Sequence, residues 1–288
     1  TIRSVTRAAI ARGVQVMGIY RGYRGLIEND MKQFTMRDVS NIINQGGTIL
    51  YSDRCLEFKT EEGMAKAIRV CQENEIDGIV AIGGDGTFRG ATDLSERGIP
   101  CIGLPGTIDN DITSTDYTIG FDTAMNTVID MVDRLRDTCE SHARCEVVEV
   151  MGRDAGWIAL ESGIAVGASA IAIKEIPFDE EKCIADMLEA KAEGKRNFIV
   201  VVSEGMGPDF AENLTGRIQE KTGIESRFAR LAHVVRGGSP SLRDRLLAST
   251  MGVAAVDALL AGKSDIVIGE RDGKICDMNI SEALTLDR

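Results

Sequence analysis

The sequence predicts an α/β protein with two doubly wound, three-layer αβα domains and mostly parallel sheets. Apolar runs of strand length alternate with helical patterns along the chain. The runs are nearly continuous, as is typical of parallel strands buried on both faces. Many of the 31 glycines stand at the ends of these runs. A length of 288 residues is sufficient for two domains of moderate size.

The first predicted sheet follows an amphipathic helical pattern at the N-terminus, TIRSVTRAAIARG. Met64, Ala67, Ile68 and Cys71 then recur with the spacing of one helix face. The elements predicted here are a helix at 61–74, a strand at 78–83, a helix at 87–97 and a strand at 100–106.

The same alternation returns in the second half, after a long helix predicted at 123–136. The predicted strands are 146–151, 170–176, 198–203 and 228–235, and the predicted helices are 154–167, 179–193 and 212–222. A helix at 242–260 and a strand at 265–269 are expected to pack back on the first domain. The predicted domains are 1–120 plus 235–284 and 121–234.

The net charge of −12 argues against nucleic acid as a partner, because phosphate backbones require a basic surface. A bound phosphorylated small molecule would need local arginine clusters. No run of 18 apolar residues is present, so no membrane span is expected. Seven scattered cysteines without a C-x-x-C pair predict reduced thiols in a cytoplasmic protein, with no zinc site.

The stretch IVAIGGDGTFRGA, 79–91, has a glycine loop between a predicted strand and a predicted helix. Glycines allow close backbone approach to a phosphate, and a helix N-terminus offers free N–H groups to an anion. Asp85 would then hold Mg²⁺, since a carboxylate beside a polyphosphate is repelled without a metal. The alternative is an ordinary β-turn with Asp85 or Thr87 as the helix cap.

The stretch PGTIDND, 105–111, places polar side chains directly after a predicted strand. In an extended chain, Thr107, Asp109 and Asp111 would face one spot and Asn110 would point aside. The alternative is an Asx-type turn. If the two preceding strands are neighbours, Asp85 and Asp109 overhang one crevice. One carboxylate would hold the metal and the other would accept a hydroxyl proton, as hydroxyl phosphorylation requires.

Six motifs together resemble the prokaryotic type of ATP-dependent 6-phosphofructokinase over nearly the whole chain. They are GGDGT, PGTIDND, GFDTA (120–124), MGRDAGWIAL (151–160), SEGM (203–206) and HVVRGGSPSLRDR (233–245). The resemblance implies Rossmann-like domains, a larger one binding ATP and a smaller one binding fructose 6-phosphate and an effector. It implies a cytoplasmic glycolytic homotetramer that transfers phosphate from ATP to the sugar 1-hydroxyl, giving fructose 1,6-bisphosphate and ADP.

The resemblance also implies roles for individual residues. Asp109 is the expected general base, and Arg153 is expected to stabilise transition-state charge. Thr107 and Asp111 flank the base, and Asp85 is the expected Mg²⁺ residue. The other residues implied to contact sugar are Met151, Gly152 and Glu204, and those implied to contact ATP are Arg54, Cys55, Gly84, Gly86 and Thr87.

A clamp for the sugar 6-phosphate is implied across two subunits. It consists of His233 and Arg236 from one subunit with Arg144 and Arg227 from its neighbour. Taken alone, the arginines would be solvated surface charges and His233 a core histidine. Arg3, Arg7, Arg136, Gly167 and Lys195 match an effector site for ADP or phosphoenolpyruvate. Glu193 stands where that site is expected to have a lysine, and Met36 stands where it is expected to have an arginine. The interpretation of these residues as ordinary surface charges therefore stays open.

The phosphoryl donor is predicted from two glycines. Diphosphate-dependent relatives carry Asp in place of Gly86 and Lys in place of Gly106. A carboxylate at 86 would repel the α-phosphate of ATP, so ATP is the expected donor.

Two departures from the phosphofructokinase pattern leave alternative functions open. The opening strand with its Gly-Gly-Asp loop, and the last helix, are expected to be missing. One alternative is a non-catalytic regulatory or binding chain of the same fold. The other is a different GGDGT-type kinase, acting on lipids or nicotinamide nucleotides, which would have no use for a sugar-phosphate clamp.

Overall fold

The computed structural model describes residues 1–285 and confirms the α/β class. The helices are α1 (Ile2–Ala11), α2 (Tyr23–Glu28), α3 (Glu61–Glu73), α4 (Asp85–Glu96), α5 (Phe121–His142), α6 (Trp157–Ala165), α7 (Glu180–Ala192), α8 (Phe210–Thr222), α9 (Leu242–Leu260) and α10 (Ile280–Thr285). The strands are β1 (Val16–Ile19), β2 (Met31–Phe34), β3 (Ile79–Gly83), β4 (Cys101–Pro105), β5 (Cys145–Val150), β6 (Ala170–Ala172), β7 (Phe198–Ser203), β8 (Ser226–Arg230), β9 (Ile266–Arg271) and β10 (Lys274–Asn279).

The chain forms two compact units. The first unit comprises Thr1–Thr107, Asp111–Gly120 and the described residues from Ser239 to 285, and the second comprises Ile108–Asn110 and Phe121–Gly238. Each unit has its own sheet and its own apolar core.

The sheet of the first unit has the order β10-β9-β4-β3, with parallel pairs apart from antiparallel β10. Alternate residues of its strands face different helices. Ala81 and Val267 pack with α3 and α4, whereas Ile102 and Leu104 pack with α9. These two layers bury β4 along its whole length.

Five elements of this unit were not predicted. β1 and β2 form a separate antiparallel pair, with α2 between them. Each strand has only four residues, too few for a recognisable alternation. At the other end, antiparallel β10 and the short helix α10 follow β9.

The sheet of the second unit has the order β6-β7-β5-β8, and all its pairs are parallel. Cys145 and Val147 of β5 face the core shared with α7 and α8. Helices α5 and α6 contact the same sheet and each other. Because parallel strands end at one edge, the segments after β5, β6 and β7 emerge together.

Two predicted strands of this unit are shorter than expected. β8 ends at Arg230, because the chain turns at Ala232 (φ 46°) into a 3₁₀ turn at Ala232–Arg236. β6 ends at Ala172, because the Ile176 amide bonds back to the Ile173 carbonyl in a turn.

Within residues 1–285, none of the helices is both long enough and apolar enough to cross a membrane.

Candidate active site

The loops that follow β3 and β4 lie side by side in the first unit. The strands are parallel neighbours, with Gly83 opposite Pro105. The Gly106 amide donates to the Gly83 carbonyl at 2.9 Å. A Cβ added at Gly84 would lie 3.8 Å from the Cβ of Thr107. The condition that these two strands are neighbours is met, and GGDGT lies against the start of PGTIDND.

The GGDGT loop leads into α4, whose first residue is Asp85. Gly84 is the N-cap, and no side chain makes a capping hydrogen bond there. The alternative in which Asp85 or Thr87 caps the helix is therefore wrong. Asp85 is half-buried in the first turn of α4, where backbone N–H groups lack the usual partner four residues earlier in the helix. A Cβ at Gly83 would lie 2.2 Å from Thr87 Oγ1, so the Thr87 side chain requires glycine at 83.

Gly86 is a glycine that the fold does not require. A Cβ at this position would meet no atom within 4 Å, and its backbone is not in the left-handed region. Gly106 has less room, since a Cβ there would lie 3.0 Å from Ile82 Cγ2, and this side chain would have to shift slightly. Open space therefore lies beside Gly86 in the first turn of α4.

The residues near Asp85 fit a magnesium ion that takes most of its ligands from phosphate and water. Within the described 285 residues, no three His, Cys, Asp or Glu side chains converge on a metal position. Mg²⁺ commonly binds through one or two carboxylates together with substrate phosphates. A single carboxylate at the start of a helix matches that donor set.

The PGTIDND segment is not extended, so the strand-like alternation assumed for its side chains is wrong. The chain bends at Ile108 and Asp109, and Asn110 adopts a left-handed conformation with φ 52°. Asparagine tolerates this conformation better than most residues. Asp109 and Asn110 are buried and group with the second unit, whereas Thr107 and Asp111 group with the first.

Asp109 and Arg153 lie close together in the second unit. Arg153 Nε is 3.7 Å from Asp109 Oδ2. The Asp109 side chain is only 11% exposed, whereas that of Arg153 is 65% exposed. The guanidinium therefore reaches from solvent toward a nearly buried carboxylate.

The MGR motif forms a tight turn after β5. Met151 is buried, Gly152 has φ 147° and Arg153 has φ 55°. The Ala155 amide closes the turn by bonding to the Gly152 carbonyl at 3.0 Å. Glu204, which follows β7, accepts hydrogen bonds at Oε1 from the Gly152 amide (3.0 Å) and the Arg153 amide (2.6 Å).

The sequence did not predict a role for Glu175, which holds the far end of this turn. Glu175 Oε1 accepts a hydrogen bond of 2.7 Å from the Gly156 amide. Beside it, Lys174 bonds to Asp154 at 2.7 Å and lowers the pKa of that carboxyl. The signal available was the charged pair Lys174-Glu175, which interrupts the apolar run predicted as a strand at 170–176.

Arg144 and Arg227 are brought together in the second unit by Glu225, which the sequence reasoning missed. Glu225 Oε2 lies 2.8 Å from Arg144 Nε, and Oε1 lies 2.5 Å from Arg227 Nη2. The hydrogen bond from Arg144 lowers the pKa of the Glu225 carboxyl. Burial raises the pKa of Glu146 on β5, which is the register partner of Arg227 on the adjacent strand β8.

His233 and Arg236 lie together in the 3₁₀ turn that follows β8. Both are exposed, so the interpretation of His233 as a core histidine is wrong. In the first unit, exposed Arg54 and half-buried Cys55 lie in an irregular segment before the 3₁₀ turn at Glu57–Lys59. Cys55 packs against the core that contains Phe88 of α4.

The predicted effector residues fall in both units. Arg3 and Arg7 lie on α1 in the first unit. In the second unit, Arg136 donates to the Val166 carbonyl, next to Gly167, and to Asn197 Oδ1 at 3.0 Å. Lys195 bonds to Ser169 Oγ at 3.2 Å, two residues beyond Gly167. Arg136 and Lys195 therefore both bond to the segment 166–169, which contains Gly167.

The chain was compared with known proteins. The family model described as phosphofructokinase matches residues 1–259. ATP-dependent 6-phosphofructokinase 1 of Clostridium perfringens is 50% identical over 287 residues, covering 100% of this chain and 89% of that protein. ATP-dependent 6-phosphofructokinase of Clostridium botulinum gives the same identity and coverage.

Among solved structures, phosphofructokinase from Saccharomyces cerevisiae is similar, with a TM-score of 0.93 and 33% identity. That match covers 98% of this chain and 43% of the yeast chain, so this chain spans less than half of the yeast chain's length. The resemblance drawn from the six motifs is confirmed: this chain belongs to the phosphofructokinase family.

Proposed function

We propose that the protein transfers the terminal phosphoryl group of ATP to the 1-hydroxyl of fructose 6-phosphate, giving fructose 1,6-bisphosphate and ADP. The observation that carries this proposal is the pairing of β3 with β4, which sets the GGDGT loop beside Thr107. Relatives with 50% identity bear the name ATP-dependent 6-phosphofructokinase, which supports ATP as the donor. The open space beside Gly86 supports the same donor.

In this proposal the first unit binds the nucleotide and the second unit binds the sugar phosphate. Gly84, Gly86 and Thr87 would line the phosphates, with Arg54 and Cys55 beside the nucleotide. Asp85 would hold Mg²⁺, which when bound would neutralise charge on the phosphate oxygens.

Asp109 would accept the hydroxyl proton, and the positive charge of Arg153 would stabilise the negative charge that develops during transfer. Thr107, Asp111, Met151, Gly152 and Glu204 would position the acceptor. The 6-phosphate would be held by His233 and Arg236 of one subunit with Arg144 and Arg227 of its neighbour. The active form would then be an oligomer, by resemblance a homotetramer, and sedimentation velocity would test this.

Two smaller proposals complete the assignment. Arg3, Arg7, Arg136, Gly167 and Lys195 would bind an anionic effector such as ADP or phosphoenolpyruvate, which isothermal titration would test. All seven cysteines are free thiols, which supports a reducing compartment, the cytoplasm.

The test of the reaction is a steady-state assay with ATP, Mg²⁺ and fructose 6-phosphate. Replacing Asp109→Ser should lower kcat by about 10²–10⁴ with little change in KM. The matched control is Asp133→Ser, an exposed carboxylate on α5. Near wild-type turnover in the Asp109 variant would refute its role. Binding without turnover in the wild-type chain would favour a regulatory chain, and phosphorylation of a lipid or nicotinamide nucleotide instead would favour another GGDGT-type kinase.

A further inference from the structure

The turn that carries Arg153 holds a backbone conformation that its own sequence does not favour. Arg153 has φ 55°, in the left-handed region that residues other than Gly, Asn and Asp rarely adopt. Such a conformation persists only where surrounding contacts enforce it. The enforcing contact here is the pair of hydrogen bonds from Gly152 and Arg153 to Glu204 Oε1.

The sheet places this carboxylate where the turn needs it. β5 and β7 are parallel neighbours, with Val150 opposite Ser203, so Glu204 emerges beside the start of the turn. The backbone on both sides is in close contact, since a Cβ at Gly205 would lie 2.9 Å from the Arg153 carbonyl oxygen. Two successive N–H groups in such a turn form an anion-binding concavity, and here the anion is a side chain of the same protein.

We propose that Glu204 is a positioning residue for Arg153. Its carboxylate fixes the left-handed turn, and the turn sets the direction in which the guanidinium leaves the backbone toward Asp109, 3.7 Å from Arg153 Nε. This inference rests on the proposed function, in which Arg153 stabilises the negative charge that develops on the transferred phosphoryl group.

The same carboxylate then has two different oxygens for two tasks. Oε1 is occupied by the two amides of the turn. Oε2 is the oxygen that would accept a hydrogen bond from a sugar hydroxyl. Sugar recognition and the orientation of Arg153 would therefore depend on one side chain.

The two tasks are separable by substitution. Glu204→Gln keeps an amide oxygen for the turn but presents an NH₂ donor to the sugar. It should raise the KM for fructose 6-phosphate about tenfold or more and leave kcat within about threefold. Glu204→Ala removes the acceptor for both amides and should lower kcat about 10²-fold, since displacing a positioned group by about 1 Å has this effect.

The decisive measurement is a double-mutant cycle with Arg153→Ala. If Glu204 acts through Arg153, Glu204→Ala should lower kcat by less than about threefold when Arg153 is already absent. Losses that multiply in the double variant would overturn the proposal. Glu220→Ala, an exposed carboxylate on α8, is the matched control.

A second measurement does not depend on activity. Amide hydrogen exchange in the peptide that spans 151–156 should be faster in Glu204→Ala and unchanged in Glu204→Gln. Equal protection in wild type and Glu204→Ala would overturn the proposal even if both were inactive. Absence of sugar phosphorylation by the wild type would instead contradict the proposed function, while the exchange result would still stand.

Discussion

Replacing Gly152 by alanine should disrupt the turn that carries Arg153 more than an ordinary glycine replacement would. Gly152 has φ 147°, and a Cβ there would lie 2.5 Å from the Ala155 carbonyl oxygen, 0.9 Å short of the 3.4 Å at which ordinary contact begins. The obstructing atom belongs to the backbone, so no rotamer change can relieve the overlap. Gly207 provides a matched control, with φ 115° and no atom within 4 Å of the added Cβ.

Both variants carry the cost of a strained backbone, but only Gly152→Ala carries the additional cost of steric overlap. A residue with a side chain held at such a φ costs about 1–3 kcal/mol, and this applies to both variants. Overpacking adds about 1–3 kcal/mol, and this applies to Gly152→Ala alone. We therefore expect a loss of unfolding free energy of about 2–6 kcal/mol for Gly152→Ala and about 1–3 kcal/mol for Gly207→Ala.

Urea unfolding of both variants measures the difference, and steady-state kinetics measures its consequence. The turn must shift to relieve the overlap, and a shift near 1 Å at Arg153 should lower kcat about 10²-fold. Equal unfolding free energies for the two variants, together with wild-type turnover in Gly152→Ala, would refute the reasoning from the turn geometry.

Three further outcomes are expected. Glu146→Gln should stabilise the protein at pH 7, because burial raises the pKa of Glu146 and its ionisation opposes folding. This gain in stability should disappear as the pH falls below about 4.5, as urea unfolding at several pH values would show. Alkylation of the native protein, followed by mass spectrometry, should modify the half-buried Cys55 and Cys276 before the five buried thiols. MgATP should protect Cys55 from alkylation. If MgATP leaves the labelling of Cys55 unchanged, the placement of Cys55 beside the nucleotide is contradicted. Gly86→Asp should fold normally, since its Cβ meets open space, yet it should raise the KM for ATP about tenfold by charge repulsion; unchanged kinetics would remove the argument for ATP based on Gly86.

The sequence predicted best those elements whose signals are local. α9 has the predicted bounds of 242–260, because Ser241 caps its first turn by accepting a hydrogen bond from the Asp244 amide. α3 was recognised from its apolar stripe, of which Met64, Ala67 and Cys71 are buried and Ile68 is half-buried against the same core. The β1–β2 pair was not recognised, since its signal is a long-range contact: a Cβ at Gly18 would lie 2.5 Å from the Phe34 ring.

In the candidate site, the limit of sequence reasoning lies in backbone conformation. The strand-like alternation assumed for PGTIDND overlooked Asn110, although asparagine between two aspartates is a signal for a left-handed residue. At Arg153 the sequence offers no such signal, because arginine has no preference for that conformation. The left-handed turn there depends on Glu204, 51 residues further along the chain.

The sheet of the second unit explains how distant residues can determine one arginine. β6, β7 and β5 lie in adjacent order and are parallel, so the segments after all three emerge at one edge. β5 supplies the turn, β7 supplies Glu204 for its first half, and the segment after β6 supplies Glu175 for Gly156. Each carboxylate replaces a hydrogen bond that the turn cannot make within itself. The register of the strands therefore orients Arg153, and a change in any of the three segments should act on its guanidinium without touching it.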